Sequence, residues 1–84
     1  MPFPPDLRRE IRVQSGYSCA FCSRQAAHVE VHHKMPVRDG GSDAPENAEV
    51  LYPACHDMFD REQEDNGLTY EEVRQKLAPY ENYL

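Results

Sequence analysis

Between His28 and Asp60 the chain changes its residue pattern three times, and that order constrains the fold more than any other feature. From about His28 to Met35 the side chains alternate around Val29, Val31 and His33, the pattern of a strand, and Pro36 ends it. From Val37 to about Ala48 the chain is rich in Gly, Asp, Pro and Asn, which reads as a loop. Glu49 to Tyr52 reads as a short second strand. Pro53 then suits the first turn of a helix that carries Cys55, His56, Met58, Phe59 and Asp60.

The flanks supply further helices. Asp6, after Pro4-Pro5, is expected to cap a helix running to about Gln14, with Gly16 as its stop. Leu7, Ile11 and Val13 give it a modest apolar stripe, and Arg8, Arg9 and Arg12 lie on the other side. Cys19-Ala20-Phe21-Cys22 reads as a tight metal knuckle. After a turn at Asn66-Gly67, Thr69 and Glu72 make a capping box for a last helix to about Ala78. Tyr70, Val73 and Leu77 of that helix are expected to cover the core. The class is α+β, with helix, knuckle, strand, loop, strand, helix and helix in order. No repeat or low-complexity linker interrupts it, so residues 1–84 read as one domain, with a core over about 11–61 and a C-terminal helix and tail over 67–84.

A chain of 84 residues builds only a thin core and usually needs a staple such as a metal, a disulfide or a partner chain. The apolar runs are too short for a membrane span, and no export signal is visible, so a cytoplasmic location is the default. In that setting an odd count of three cysteines, two of them spaced Cys-x-x-Cys, points to metal before disulfide.

The chemistry is concentrated in a few residues. Imidazole titrates near neutrality and can take a proton from water, which makes His33 the candidate general base. His56 and Asp60 stand four apart on the expected helix and so project from one face, a spacing that lets them share a metal.

The ordered set Glu30-Val31-His32-His33-Lys34-Met35-Pro36, Gly40-Gly41, Asn47 and Leu51 through Cys55-His56 resembles the HNH endonuclease family. The resemblance covers about Ile11 to Arg61 and implies a ββα-metal (His-Me finger) core. It implies His33 as general base and His32, His56 and Asp60 as ligands of one divalent metal: manganese, magnesium, nickel or zinc. Asn47 would tie the loop to the backbone near the base and orient His33, and with His33 and His56 it completes the catalytic set. The implied reaction is hydrolysis of DNA, by nicking or double-strand cleavage, leaving 5′-phosphate and 3′-hydroxyl ends.

Many members of this family hold a structural zinc with two Cys-x-x-Cys pairs. Here Tyr52 stands where the second pair would begin, leaving Cys19, Cys22 and Cys55. Three accounts stay open: His28 supplies a fourth ligand, zinc binds three thiolates and a water, or Tyr52 packs over free thiols.

The net charge of −6 sits awkwardly with a DNA substrate. The acid is concentrated late: residues 1–42 carry six cations against four acids, and residues 43–84 three against eleven. Arg8, Arg9, Arg12, Arg24, Lys34 and Arg38 are the candidate phosphate contacts. A homodimer or a partner protein could add others. The rival class is a non-catalytic metal-binding or accessory module of the same shape, which the charge and the missing cysteine favour.

Overall fold

The computed structural model describes residues 3–80, in which α1 (Pro5–Gln14), β1 (Glu30–His33), β2 (Ala48–Leu51), α2 (Pro53–Asp65) and α3 (Tyr70–Leu77) follow one another. The architecture is the expected small α+β arrangement with a ββα core. Residues 81–84 of the expected C-terminal tail lie outside the described residues.

Pro4, not Asp6, caps α1. Pro4 is extended (φ −54°, ψ 144°) and Pro5 occupies the first helical position, where its fixed φ is already helical. Asp6 therefore becomes a first-turn acid beside the positive end of the helix. No residue of α1 is fully buried, and Val13 of the expected stripe is 56% exposed.

The two strands form an antiparallel ribbon with Glu30 opposite Leu51, Val31 opposite Val50, His32 opposite Glu49 and His33 opposite Ala48. Successive side chains in a strand point to opposite faces. The face under α2 and α3 carries Glu30 and His32, which reach His56 and Gln63, and Glu49, which accepts from the Tyr70 hydroxyl at 3.1 Å. The other face carries His33, which stacks on Phe3 just ahead of α1. Within β1 His32 is the buried residue, Val31 and His33 are half-buried, and Val29 just ahead of the strand is buried. The strand is also shorter than expected: Lys34 N–H still bonds the Asn47 carbonyl, but the Asn47 side chain then takes both the N–H and the carbonyl of Met35, and the chain turns at Pro36.

Ahead of β1, Ser18 and Gln25 form an isolated bridge that closes the cysteine knuckle. Cys19 N–H donates to the Arg24 carbonyl and Cys22 N–H points to Cys19 Sγ at 3.4 Å. Ala20 N–H donates to the Val50 carbonyl at 2.8 Å, which pins the knuckle to β2.

The core lies between the knuckle, β2, α2 and α3: Cys19, Phe21, Leu51, Cys55, Phe59, Tyr70, Val73 and Leu77. Phe21 meets Phe59 edge-on at 5.4 Å. The capping box is present as expected, with Glu72 N–H bonded to Thr69 Oγ1 and Thr69 N–H bonded to Glu72 Oε1. Among the described residues no helix is long and apolar enough to cross a membrane.

Candidate functional site

β1 and α2 together build a cluster of three potential ligands. His32, His56 and Asp60 each offer one donor atom, all within 4.8 Å of one another. The spacing on α2 does what the sequence suggested: His56 Nε2 lies 3.4 Å from Asp60 Oδ2. His32 joins from the strand, its Nδ1 3.3 Å from Asp60 Oδ1. When both His32 nitrogens carry hydrogen, its Nδ1–H bond to Asp60 outweighs burial and, with the nearby His56, holds the Asp60 carboxyl below its ordinary value.

Each imidazole is held from behind. Glu30 Oε1 lies 2.8 Å from His56 Nδ1; a carboxylate only accepts, so Nδ1 carries the proton and the Nε2 lone pair faces Asp60. His32 Nε2 lies 2.7 Å from Gln63 Oε1. Two ring nitrogens and a carboxylate therefore converge on one point, and all three are acceptors when unprotonated. Such a set needs a proton or a cation at its centre, so its chemistry fits a divalent metal.

His33 stands apart from this group. Its Nε2 lies 2.9 Å from Asp43 Oδ1, and its ring stacks on Phe3 at 3.9 Å with 14° between the planes. Phe3 is 1% exposed, so His33 has a wall on one side and an anchored nitrogen on its edge. Asn47 clamps the loop that carries Asp43. Its Oδ1 accepts from Met35 N–H at 2.9 Å, and its Nδ2 donates to the carbonyls of Met35 and Ser42 at 3.0 and 2.9 Å. Both groups open into one cleft of about 340 Å³, lined by Phe3, Arg8, His32, His33, His56 and Asp60.

The three cysteines form a second cluster, their sulfurs within 4.8 Å of one another. His28 is exposed and outside that cluster, so the four-ligand set reduces to three thiols. Tyr52 does not aim a ligand at them: its ring packs against the core and lies under the Arg24 guanidinium, 5.1 Å from the ring centre. Burial pushes the Cys19 thiol up, but hydrogen bonds from the backbone of Cys22, Tyr52 and Phe21 outweigh it and lower its pKa. Cys55 is strongly raised by burial and by its neighbour Cys19.

The six candidate phosphate contacts scatter. Arg8 lines the cleft and, among the described residues, makes no ion pair. Arg38 bonds the Gln63 carbonyl at 2.9 Å, Lys34 faces Glu49, and Arg9 pairs with Asp6 in solvent. Arg24 is held on Tyr52, away from the cleft. Arg12 is half-buried on α1.

Three residues of the site were given no role from the sequence: Phe3, Glu30 and Gln63. Gln63 left a readable signal. Cys55, Phe59 and Gln63 recur every four residues as the buried face of α2, and an amide on such a face needs polar partners.

A family model described as HNH endonuclease matches residues 19–62, just over half of the chain. Over 60 residues the chain is 33% identical to the type IV methyl-directed restriction enzyme EcoKMcrA of Escherichia coli (strain K12); the match covers 62% of this chain. It covers 22% of that protein, so the chain spans less than a quarter of its relative's length. No solved structure matches the chain.

Proposed function

We propose, since the chain belongs to the HNH endonuclease family, that it is a metal-dependent endonuclease hydrolysing DNA phosphodiester bonds. One observation carries the reading. An imidazole with one nitrogen fixed on a carboxylate shares its cleft with a two-histidine, one-carboxylate group.

In neutral His33 the proton sits on Nε2, because Asp43 can only accept. The Nδ1 lone pair is then the base. It takes a proton from water as the oxygen attacks phosphorus, and Asp43 stabilises the imidazolium that forms. The bond from phosphorus to the 3′ oxygen breaks and the leaving oxygen takes a proton from solvent, giving the 5′-phosphate and 3′-hydroxyl ends that family chemistry implies. Phe3 holds the ring plane during the transfer, and Asn47 keeps Asp43 in register with it. A divalent cation held by His32, His56 and Asp60 would supply Lewis-acid stabilisation to the phosphate and the leaving oxygen. Two imidazoles in the donor set favour nickel or zinc over magnesium, and the carboxylate keeps manganese competent.

Arg8 is the cation best placed to meet a phosphate in the cleft. With a net charge of −6 the chain binds DNA weakly and in a salt-sensitive way, so a second copy or a partner protein supplies further contacts. The described residues act as one nuclease domain, and the cysteine cluster holds zinc through three thiolates.

The test is cleavage of supercoiled plasmid at low salt by chelator-treated protein, with each metal added separately and His33→Ala prepared alongside. Nicked or linear product that needs metal and vanishes in His33→Ala is the expected result. Cleavage that survives in His33→Ala would overturn the assignment of the base. No cleavage under any metal would favour the binding-module reading that the acidic charge supports.

A further inference from the structure

Gln63 makes an arrangement that decides where one proton sits. Its Nε2 donates to the Lys34 carbonyl at 2.9 Å, and that oxygen can only accept, so this end of the amide is the NH2 group. The other end is therefore the carbonyl, and it lies 2.7 Å from His32 Nε2. A carbonyl only accepts, so His32 Nε2 carries the hydrogen. Gln63 is 2% exposed and His32 4%, which leaves no room for solvent to replace either bond.

We infer that Gln63 is a positioning residue: it locks neutral His32 in the Nε2–H form and so presents the Nδ1 lone pair to the point shared with His56 and Asp60. Glu30 locks His56 in the opposite form, Nδ1–H, leaving its Nε2 lone pair on the same point. The two rings of one ligand group thus bond through different nitrogens because different partners stand behind them. Without Gln63 the ring has a better alternative: moving the proton to Nδ1 lets it donate to Asp60, 3.3 Å away. That form satisfies the protein and blocks the cation. Gln63 pays for metal readiness by denying the apoprotein this hydrogen bond.

The inference rests on reading His32, His56 and Asp60 as a metal group, but its test does not depend on cleavage. Long-range proton–nitrogen correlation spectra of the metal-free protein, taken at about pH 9, above the ordinary imidazole range, report the tautomer of each ring. The expected result is Nε2–H for His32 and Nδ1–H for His56. In Gln63→Met, similar in length without the amide, His32 moves to Nδ1–H, and Mn2+ binding followed by electron paramagnetic resonance weakens by about 10–100-fold. Gln63→Glu keeps an acceptor behind the ring and retains the Nε2–H form. An Nδ1–H His32 in the native protein overturns the inference whether or not either variant folds. So does a folded Gln63→Met with unchanged tautomer and affinity. A native protein with the stated tautomers that cleaves no DNA would count against the nuclease reading alone.

Discussion

Alanine at Gly41 tests whether the loop beneath His33 is held by space or by backbone angle. A Cβ at Gly41 would sit 1.8 Å from the Met35 carbonyl oxygen, 2.7 Å from its carbon and 2.9 Å from the Pro36 oxygen. All three atoms are backbone, so no side chain can swing aside, and the loop must move by more than about 1 Å to restore contact distances. That movement breaks the Gly41 N–H bond to the Pro36 carbonyl and the two bonds between Asn47 and Met35. At about 0.5–1.5 kcal/mol net for each of the three, the loss is about 3 kcal/mol. Gly40 has the opposite character: its φ is +89°, and nothing lies within 4 Å of a Cβ there. Alanine at Gly40 costs about 1–2 kcal/mol for the left-handed backbone, partly offset by a less mobile unfolded chain. For a domain of this size about 1 kcal/mol moves Tm by about 4–8 °C. Thermal unfolding of the metal-free variants side by side should therefore show Gly41→Ala losing about 12–24 °C and Gly40→Ala about 5 °C. Equal losses, or a larger one at Gly40, would refute the close-approach argument.

Asp43→Asn should lower plasmid nicking by about 10–100-fold at saturating metal while Tm stays within a few degrees, since it removes the charge that orients His33; unchanged rates would remove Asp43 from the site. Because the Asp60 carboxyl is held below its unfolded value near 3.8, its interactions stabilise the fold above that pH and are lost as pH falls through the lower folded value. Urea midpoints of the metal-free native protein and Asp60→Asn should therefore differ at about pH 5, below the ordinary imidazole range, and converge below about pH 3.8, and a constant difference would contradict this. Removing zinc with a chelator should lower Tm, and elemental analysis should find zinc lost from Cys55→Ser but retained by His28→Ala. Retention of zinc by Cys55→Ser would break the three-thiolate reading.

The parts of the fold set by local chemistry were readable in advance. Thr69 and Glu72 satisfy each other's backbone, Pro53 opens α2, and four-residue spacing brings His56 to Asp60 wherever the helix lies. What escaped depends on neighbours distant in sequence. Alternation around Val29, Val31 and His33 marked a strand but not its buried side: His32 is buried against Gln63 of α2, and an apolar index cannot see a polar partner across the core. His28 looked close to the thiols along the chain, but the knuckle turns it out to solvent. The two loop glycines looked alike and serve different needs, one an angle and the other a clearance. Phe3 gave no signal, since stacking against a histidine thirty positions on is decided only when α1 docks on the ribbon.

The ribbon places two identical side chains on opposite faces at consecutive positions, and this carries a hazard for folding. A slip of β1 by one residue would swap faces and still leave a histidine in one of the two places, with Lys34 or Val31 filling the other, so half of the error is chemically quiet. Registry must be checked elsewhere. Asn47 seizes the Met35 backbone at one end of the ribbon, and the Ala20 amide seizes the Val50 carbonyl near the other. A misaligned strand would miss both grips, so residues that never approach a substrate decide which histidine becomes the base.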